Sequence, residues 1–273
     1  MHRECVKRLS KKWYDTISFP KEFDVDFENL LNVENDLECM SFNDYDIEGN
    51  KFNKGKNLIM FLYFCEELSE RYKKTGIPEE ILLATIDDFI ISVKRQYIAE
   101  GKIGLVKTSF LENHLSMKIF RLGRLQFHMT VSPIDVPEMN IKTGDNIIAI
   151  HIPEGGALSM EECEKSFEMA EKFFAKYFPD FDYKNYSCSS WLLADNLKLF
   201  LSENSNILKF QKLFKIVNTF ESDSILDFMF KYGIKNREEL RECPAESAFA
   251  KKVKNYALEG GKLYSAFGIK VSP

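Results

Sequence analysis

The chain has 273 residues, 45% of them hydrophobic and 29% charged, with 24 Phe and 11 Tyr. That is enough apolar material for one large core or two ordinary ones, and it excludes a disordered chain. A net charge of −5 argues against a surface whose main task is to neutralise nucleic-acid phosphates, so no nucleic-acid partner is expected.

The start of the chain is basic, with Arg3, Lys7, Arg8, Lys11 and Lys12, but no apolar run of signal-peptide length follows it. Nor does any stretch approach the roughly 20 apolar residues of a membrane span, the richest being Leu58 to Cys65. A cytoplasmic protein with no membrane partner is expected. The six cysteines, Cys5, Cys39, Cys65, Cys163, Cys188 and Cys243, include no CxxC pair, and the four histidines, His2, His114, His128 and His151, stand far apart. That pattern implies reduced thiols and no metal.

In chain order, the first ~110 residues read as helical. Before about residue 55 the chain is acidic with interspersed Phe and Leu, which suits short helices on a solvated surface. Met60, Phe61, Phe64, Cys65, Leu68 and Tyr72 recur at three- and four-residue steps until Gly76-Ile77-Pro78 stops the helix. A second helix is expected to start at Pro78-Glu79-Glu80 and to carry Leu82, Ile86, Phe89, Ile90, Val93 and Tyr97 as one apolar stripe up to Gly101.

From about Leu115 the period changes to two. In Arg124 to Met129, Leu125, Phe127 and Met129 alternate with Arg124, Gln126 and His128, which predicts a half-buried strand with a polar face. A proline-containing connection follows, then the apolar run Asn146 to Ile152, expected as a central strand. Pro153 to Leu158 is a glycine-containing loop, and Ser159-Met160-Glu161-Glu162 is a capping box that opens a helix with Cys163, Phe167, Ala170, Phe173, Phe174, Tyr177 and Phe178 on one side. Pro179 ends that helix and Tyr186 to Leu193 reads as the next strand. Two strands joined by a helical crossover are parallel if they are neighbours in one sheet. Beyond them, Asp195 is placed to cap a short helix through Leu201, and Asn206 to Val217 fits either period. Short helices are expected over Ser224 to Tyr232 and Ala245 to Leu258, and a last strand over Leu263 to Val271.

A glycine loop between a buried strand and a helix N-terminus presents unpaired backbone N–H groups to an anion. Gly155 and Gly156 permit such a loop, whereas Glu154, Glu161 and Glu162 add negative charge beside it, and an ordinary strand-to-helix connection accounts for the same residues. The run is neither GxGxxG nor a P-loop. His151, at the end of the central strand, suits a general base near neutrality. With Cys188 on the adjacent strand it would form a nucleophile and base pair, although a small buried cysteine fits equally. Ser187, Ser189 and Ser190 lack a nucleophile elbow and suit hydrogen bonding. Arg124, Gln126 and His128 would line a cleft or a solvated sheet face, and Trp191 suits the core.

Four runs in this order, Phe120-Arg121-Leu122-Gly123-Arg124-Leu125-Gln126-Phe127, His151-Ile152-Pro153-Glu154-Gly155-Gly156-Ala157-Leu158-Ser159, Cys188-Ser189-Ser190-Trp191-Leu192-Leu193 and Ser205-Asn206-Ile207-Leu208-Lys209-Phe210-Gln211, resemble a bacterial two-domain acyltransferase family. The resemblance implies an α/β fold, α+β over the whole chain: a helical N-acyltransferase-type domain over residues 1–113, then a GNAT-like mixed sheet with helices on both faces over 114–273. It further implies acyl-CoA or acetyl-CoA as co-substrate in the splay between the two parallel strands. Ile152, Gly155, Gly156, Ala157, Leu158 and Ser159 would hold the CoA, although the [QR]-x-x-G-x-[GA] loop of ordinary GNAT enzymes is replaced here by Pro-Glu-Gly-Gly-Ala-Leu.

By that resemblance the expected activity is acyl-CoA-dependent transfer to an amine of a small molecule or peptide. His151 or Glu154 would take the amine proton, and Cys188 or Ser190 would protonate the departing thiolate. Arg124, Gln126, His128 and Trp191 would meet the acceptor. Two alternatives follow from the same residues: a catalytically silent GNAT-like module that binds a ligand or a protein, and a thiol hydrolase, which requires an accessible Cys188 of depressed pKa.

Overall fold

In the computed structural model, which describes residues 2–230, 233, 234 and 236–271, the chain divides into two units, Met1–Arg121 and Leu122–Pro273. Among the described residues no helix is long and apolar enough to cross a membrane.

The first unit is helical: α1 (His2–Ile17), α2 (Asp24–Val33), α3 (Lys54–Thr75), α4 (Glu79–Ile86), α5 (Asp88–Glu100) and α6 (Thr108–Leu115). Leu58 to Leu62 are all buried, so the first half of α3 is enclosed on every side, while its second half keeps an exposed face at Glu70, Lys73 and Lys74. Against it lies α1, longer than the short helices expected there. Val6, Trp13 and Tyr14 of α1 are buried, and its buried Ser10 donates from Oγ to the Ile59 carbonyl at 2.8 Å. The single helix expected from Pro78 to Gly101 is two, broken at Asp87. Thr85 Oγ1 bonds back to the Ile81 carbonyl at 2.6 Å, a pairing that bends helices, and it accepts the Arg121 backbone N–H at 3.0 Å. Tyr97, expected on the buried stripe, is exposed with its ring tilted against Phe23.

The strands are β1 (Ile119–Leu122), β2 (Leu125–Val131), β3 (Asn146–His151), β4 (Tyr186–Ser190), β5 (Phe214–Glu221) and β6 (Tyr264–Lys270). Among the described residues they form one mixed sheet in the order β1-β2-β3-β4-β6-β5. β3 and β4 are parallel neighbours and the other described pairings are antiparallel, as the crossover predicted. That crossover is α7 (Met160–Tyr177), which buries Cys163, Phe167, Ala170, Phe173 and Phe174. Phe167 packs edge-on against Phe127 of β2 and Tyr186 of β4, with ring centroids 5.8 and 5.3 Å apart, so α7 covers the face of the sheet that these residues share. On the opposite face, Val136 and Ile141 of the β2–β3 connection pack on Ile147, Phe267 and Ile269.

β4 stops at Ser190, three residues before the expected end, because Trp191–Leu193 turns into a 3₁₀ segment. The ambiguous stretch after it resolves into α8 (Asn206–Gln211) and β5. The Gln211 amide donates to the Leu192 and Ala194 carbonyls at 2.9 and 3.0 Å, fixing the turn after β4. α9 (Ser224–Met229), α10 (Arg237–Glu242) and α11 (Ala248–Leu258) follow; α10 carries no periodic stripe long enough to be read from sequence, and Tyr232 lies outside the described residues. Ile225, Leu226, Leu240 and Val253 of these helices share a second core with Leu197 and Leu208, and Trp191 packs against it.

Candidate active site

The β3–β4 ladder is short. It runs Ile148↔Tyr186, Ala149↔Ser187 and Ile150↔Cys188 and ends there. β3 nevertheless stays paired with β2 as far as Gln126↔His151, and β4 with β6 as far as Ser190↔Ala266. Each strand therefore continues past Ile150 and Cys188 with its outer partner alone, and the two central strands part at their C-terminal ends. Ligands of open α/β sheets collect at such ends.

From the end of β3 the chain enters the loop Ile152 to Leu158. Gly155 and Gly156 lie at φ +84° and +70°, a consecutive pair of left-handed residues that only glycine adopts without strain. Leu158 is buried and anchors the loop's far end. Ser159 is the N-cap of α7: its Oγ accepts the Glu162 backbone N–H at 3.2 Å and donates to the Glu162 carboxylate at 2.8 Å. Lys165 pairs with Glu161 at 2.6 Å and holds that carboxyl below its ordinary range. Glu162 and Glu161 are thus engaged by neighbouring side chains, and Glu154 is exposed on the loop itself.

Arg124 is not a residue of the polar strand face. It lies with Gly123 in the turn between β1 and β2, where its guanidinium reaches the loop. Nη1 donates to the Pro153 carbonyl at 2.9 Å, Nε to Ala157 at 3.0 Å and Nη2 to Gly156 at 3.5 Å. Its backbone N–H donates to Ser166 Oγ of α7 at 2.8 Å. The sequence offers one signal for this position: a glycine-containing pair between two period-two runs marks a hairpin turn. Ser166, buried in mid-helix, carries no signal of its own.

Residue alternation sorts the remaining candidates. Gln126 and His128 of β2, Ala149 and His151 of β3, and Ser187 and Ser189 of β4 share the face away from α7. There His151 Nε2 stands 3.4 Å from His128 Nδ1, so the two imidazoles adopt complementary tautomers when both are neutral. Gln126, expected at a cleft or solvated surface, is buried opposite His151. Cys188 pairs with Ile150 rather than His151 and lies on the α7 face, fully buried, where desolvation pushes its thiol up to about 12. The nucleophile and base pair of Cys188 with His151 is therefore not formed, and the thiol hydrolase's requirement for an accessible, acidified Cys188 is not met. Ser190 is two residues on, half-buried, and its Oγ accepts the Leu192 backbone N–H at 3.1 Å. Trp191 packs toward Phe228 and Phe249 with ring centroids 6.3 and 6.5 Å away, a core role. Among the described residues no three His, Cys, Asp or Glu side chains cluster as metal ligands.

The family model of the GNAT-like C-terminal domain matches residues 119–270. Among solved structures, an acyltransferase in complex with decanoyl-CoA is 25% identical over 89% of this chain and 72% of its own, with a TM-score of 0.71. A second, in complex with decanoyl-CoA and teicoplanin, is 21% identical over 99% of this chain and 86% of its own, also at 0.71. An acyltransferase mutant in complex with octanoyl-CoA is 24% identical over 84% of this chain and 69% of its own, again at 0.71. No curated protein matches the sequence. The family match spans more than half of the chain, with the β3–loop–α7–β4 unit inside it, and the chain belongs to the family that carries the GNAT-like C-terminal domain.

Proposed function

We propose that the chain is an acyl-CoA-dependent N-acyltransferase acting on an amine of a small molecule or peptide. The observation that carries this reading is the parting of β3 and β4 after Ile150↔Cys188, beside a loop whose glycines and capped helix suit a diphosphate. Solved acyltransferases of like fold hold octanoyl-CoA and decanoyl-CoA, and one holds teicoplanin as well. In this reading the helical part, residues 1–113, is the N-acyltransferase-type domain and residues 114–273 are the GNAT-like one.

The acyl-CoA would lie along the gap between the strands, its diphosphate held by Ile152 and Gly155 to Ser159. The amine attacks the thioester carbonyl, polarised by a backbone N–H of β3, and a C–N bond forms as the C–S bond breaks. His151, supported by His128 on the same face, takes the amine proton; Glu154 is the second candidate base. Ser190 is better placed than the enclosed Cys188 to return a proton to the departing thiolate. His128 would meet the acceptor on the face away from α7, where the buried Gln126 stands opposite His151.

The test is thermal unfolding with CoA, acetyl-CoA and decanoyl-CoA, followed by transfer to a panel of amines. A ligand at 100 times its Kd adds about 2.7 kcal/mol of stability. A thioester shift that vanishes when Gly155 and Gly156 are replaced supports the reading. No shift at millimolar thioester makes the silent binding module the better account, and transfer that survives replacement of both His151 and Glu154 removes the base assignment.

A further inference from the structure

We infer that Arg124 is the positioning residue of the acyl-CoA diphosphate loop, acting from the β1–β2 turn through three carbonyls of that loop. The inference rests on the reading of the loop as the diphosphate site and assigns how the chain forms that site without the usual glycine-loop sequence.

The argument starts from donors and acceptors. A peptide unit directs its carbonyl and its N–H to opposite sides, so a group that gathers the carbonyls of a loop on one side turns N–H groups toward the other. The Arg124 guanidinium does this at Pro153, Gly156 and Ala157, from 2.9 to 3.5 Å. These carbonyls flank and include the left-handed pair Gly155 and Gly156, and in planar trans peptides the N–H groups that share those units, of Glu154, Ala157 and Leu158, face away from the guanidinium. Arginine suits the task because its planar fork offers five donors in fixed directions, whereas lysine offers a point charge on a flexible stem.

The turn that carries Arg124 is itself fixed. Gly123 sits at φ +70°, and a Cβ there would meet Ser166 Oγ at 2.8 Å. That hydroxyl accepts the Arg124 N–H at 2.8 Å and donates to the Glu162 carbonyl at 2.8 Å. The guanidinium is therefore referenced to the first turns of α7, whose N-terminus the loop enters. Loop, helix and hairpin turn form one unit inside Leu122–Pro273, and the positive charge of Arg124 lies beneath a loop that carries Glu154.

The experiment compares two thioesters that differ in the diphosphate. The binding of decanoyl-CoA and of decanoyl-pantetheine, which lacks the nucleotide and diphosphate, is measured by titration calorimetry on the full chain and on Arg124→Ala and Arg124→Lys. Arg124→Ala should weaken decanoyl-CoA by about ten-fold or more, the effect of roughly one lost charge-assisted contact set, and leave decanoyl-pantetheine within about two-fold. Arg124→Lys should recover only part of the loss. Should Arg124→Ala fail to fold, Arg124→Lys carries the same comparison. Equal weakening of both thioesters, or none, overturns the inference and leaves the acyltransferase reading standing. Wild-type protein that binds neither thioester removes that reading and the inference with it.

Discussion

His151, at the end of β3, and Cys188, in the middle of the adjacent parallel β4, project from opposite faces of the sheet, because Ile150 is the residue opposite Cys188. Cys188 is held against α7 with no solvent exposure, while His151 meets His128 on the other side. The sheet itself separates the two groups.

Thiol labelling follows from this. Cys188, Cys163 and Cys65 are buried, with thiols raised by desolvation, Cys188 to about 12 and Cys163 to about 11. Thiolate is the reactive form, so brief iodoacetamide treatment at neutral pH should leave these three unmodified in the native protein. The half-buried Cys5, Cys39 and Cys243 should label first, as read by peptide mass spectrometry. Rapid native labelling of Cys188 would contradict its placement.

The same shifts set an alkaline limit. A thiol whose pKa is raised by folding favours the protonated form in the native state, so its contribution is fully present below the unfolded value near 9. It is lost as pH rises from there toward about 12 for Cys188 and about 11 for Cys163. Stability should be flat with respect to these groups below pH 9 and fall above it by up to about 1.4 kcal/mol per pH unit for each thiol. Cys188→Ala should flatten that fall in denaturant titrations, and an unchanged slope would place the alkaline loss elsewhere.

The helix cap can be tested alone. Ser159→Ala removes the acceptor for the Glu162 N–H and should cost about 1 kcal/mol, whereas Ser159→Asp should retain most of it. Equal unfolding temperatures for Ser159→Ala and wild type would mean that the cap contributes nothing.

At Gly123 two costs coincide, a left-handed backbone and a Cβ 2.8 Å from Ser166 Oγ. Gly123→Ala should destabilise by about 1–2 kcal/mol or more. A companion Ser166→Ala should relieve the contact but not the backbone cost, so the double variant should remain less stable than Ser166→Ala.

In the helical unit, His114 Nε2 lies 2.9 Å from the Asp88 carboxylate, and the histidine is fully buried. Its Nδ1 has no hydrogen-bond partner among the described residues, so Asp88 supplies the ring's described polar bond. Asp88→Ala should destabilise by about 1–3 kcal/mol through the unsatisfied ring nitrogen, read by chemical denaturation; a change under about 0.5 kcal/mol would show that the ring finds another partner or water.

The amino-acid sequence by itself determined the elements whose signals are local. The spacing of Met60, Phe64, Leu68 and Tyr72 made α3, Ser159 and Glu162 marked the start of α7, and the apolar run at β3 with a helical crossover to β4 made those strands parallel. The glycine pair in the loop was equally legible. What tertiary structure decided was every relation that depends on register or on distant contacts. Side chains alternate with a period of two, so a shift of one residue between β3 and β4 would have put Cys188 beside His151; packing of α7 on Phe127 and Tyr186 goes with the register that separates them. The break at Asp87 accompanies a hydrogen bond from Arg121, 36 residues from Thr85, and no local window contains both. Arg124 read as one polar residue of a strand because its partners, Pro153, Gly156 and Ala157, lie 29 to 33 residues away. A hydrogen bond across such a separation exists only once the sheet has brought the β1–β2 turn to the end of β3.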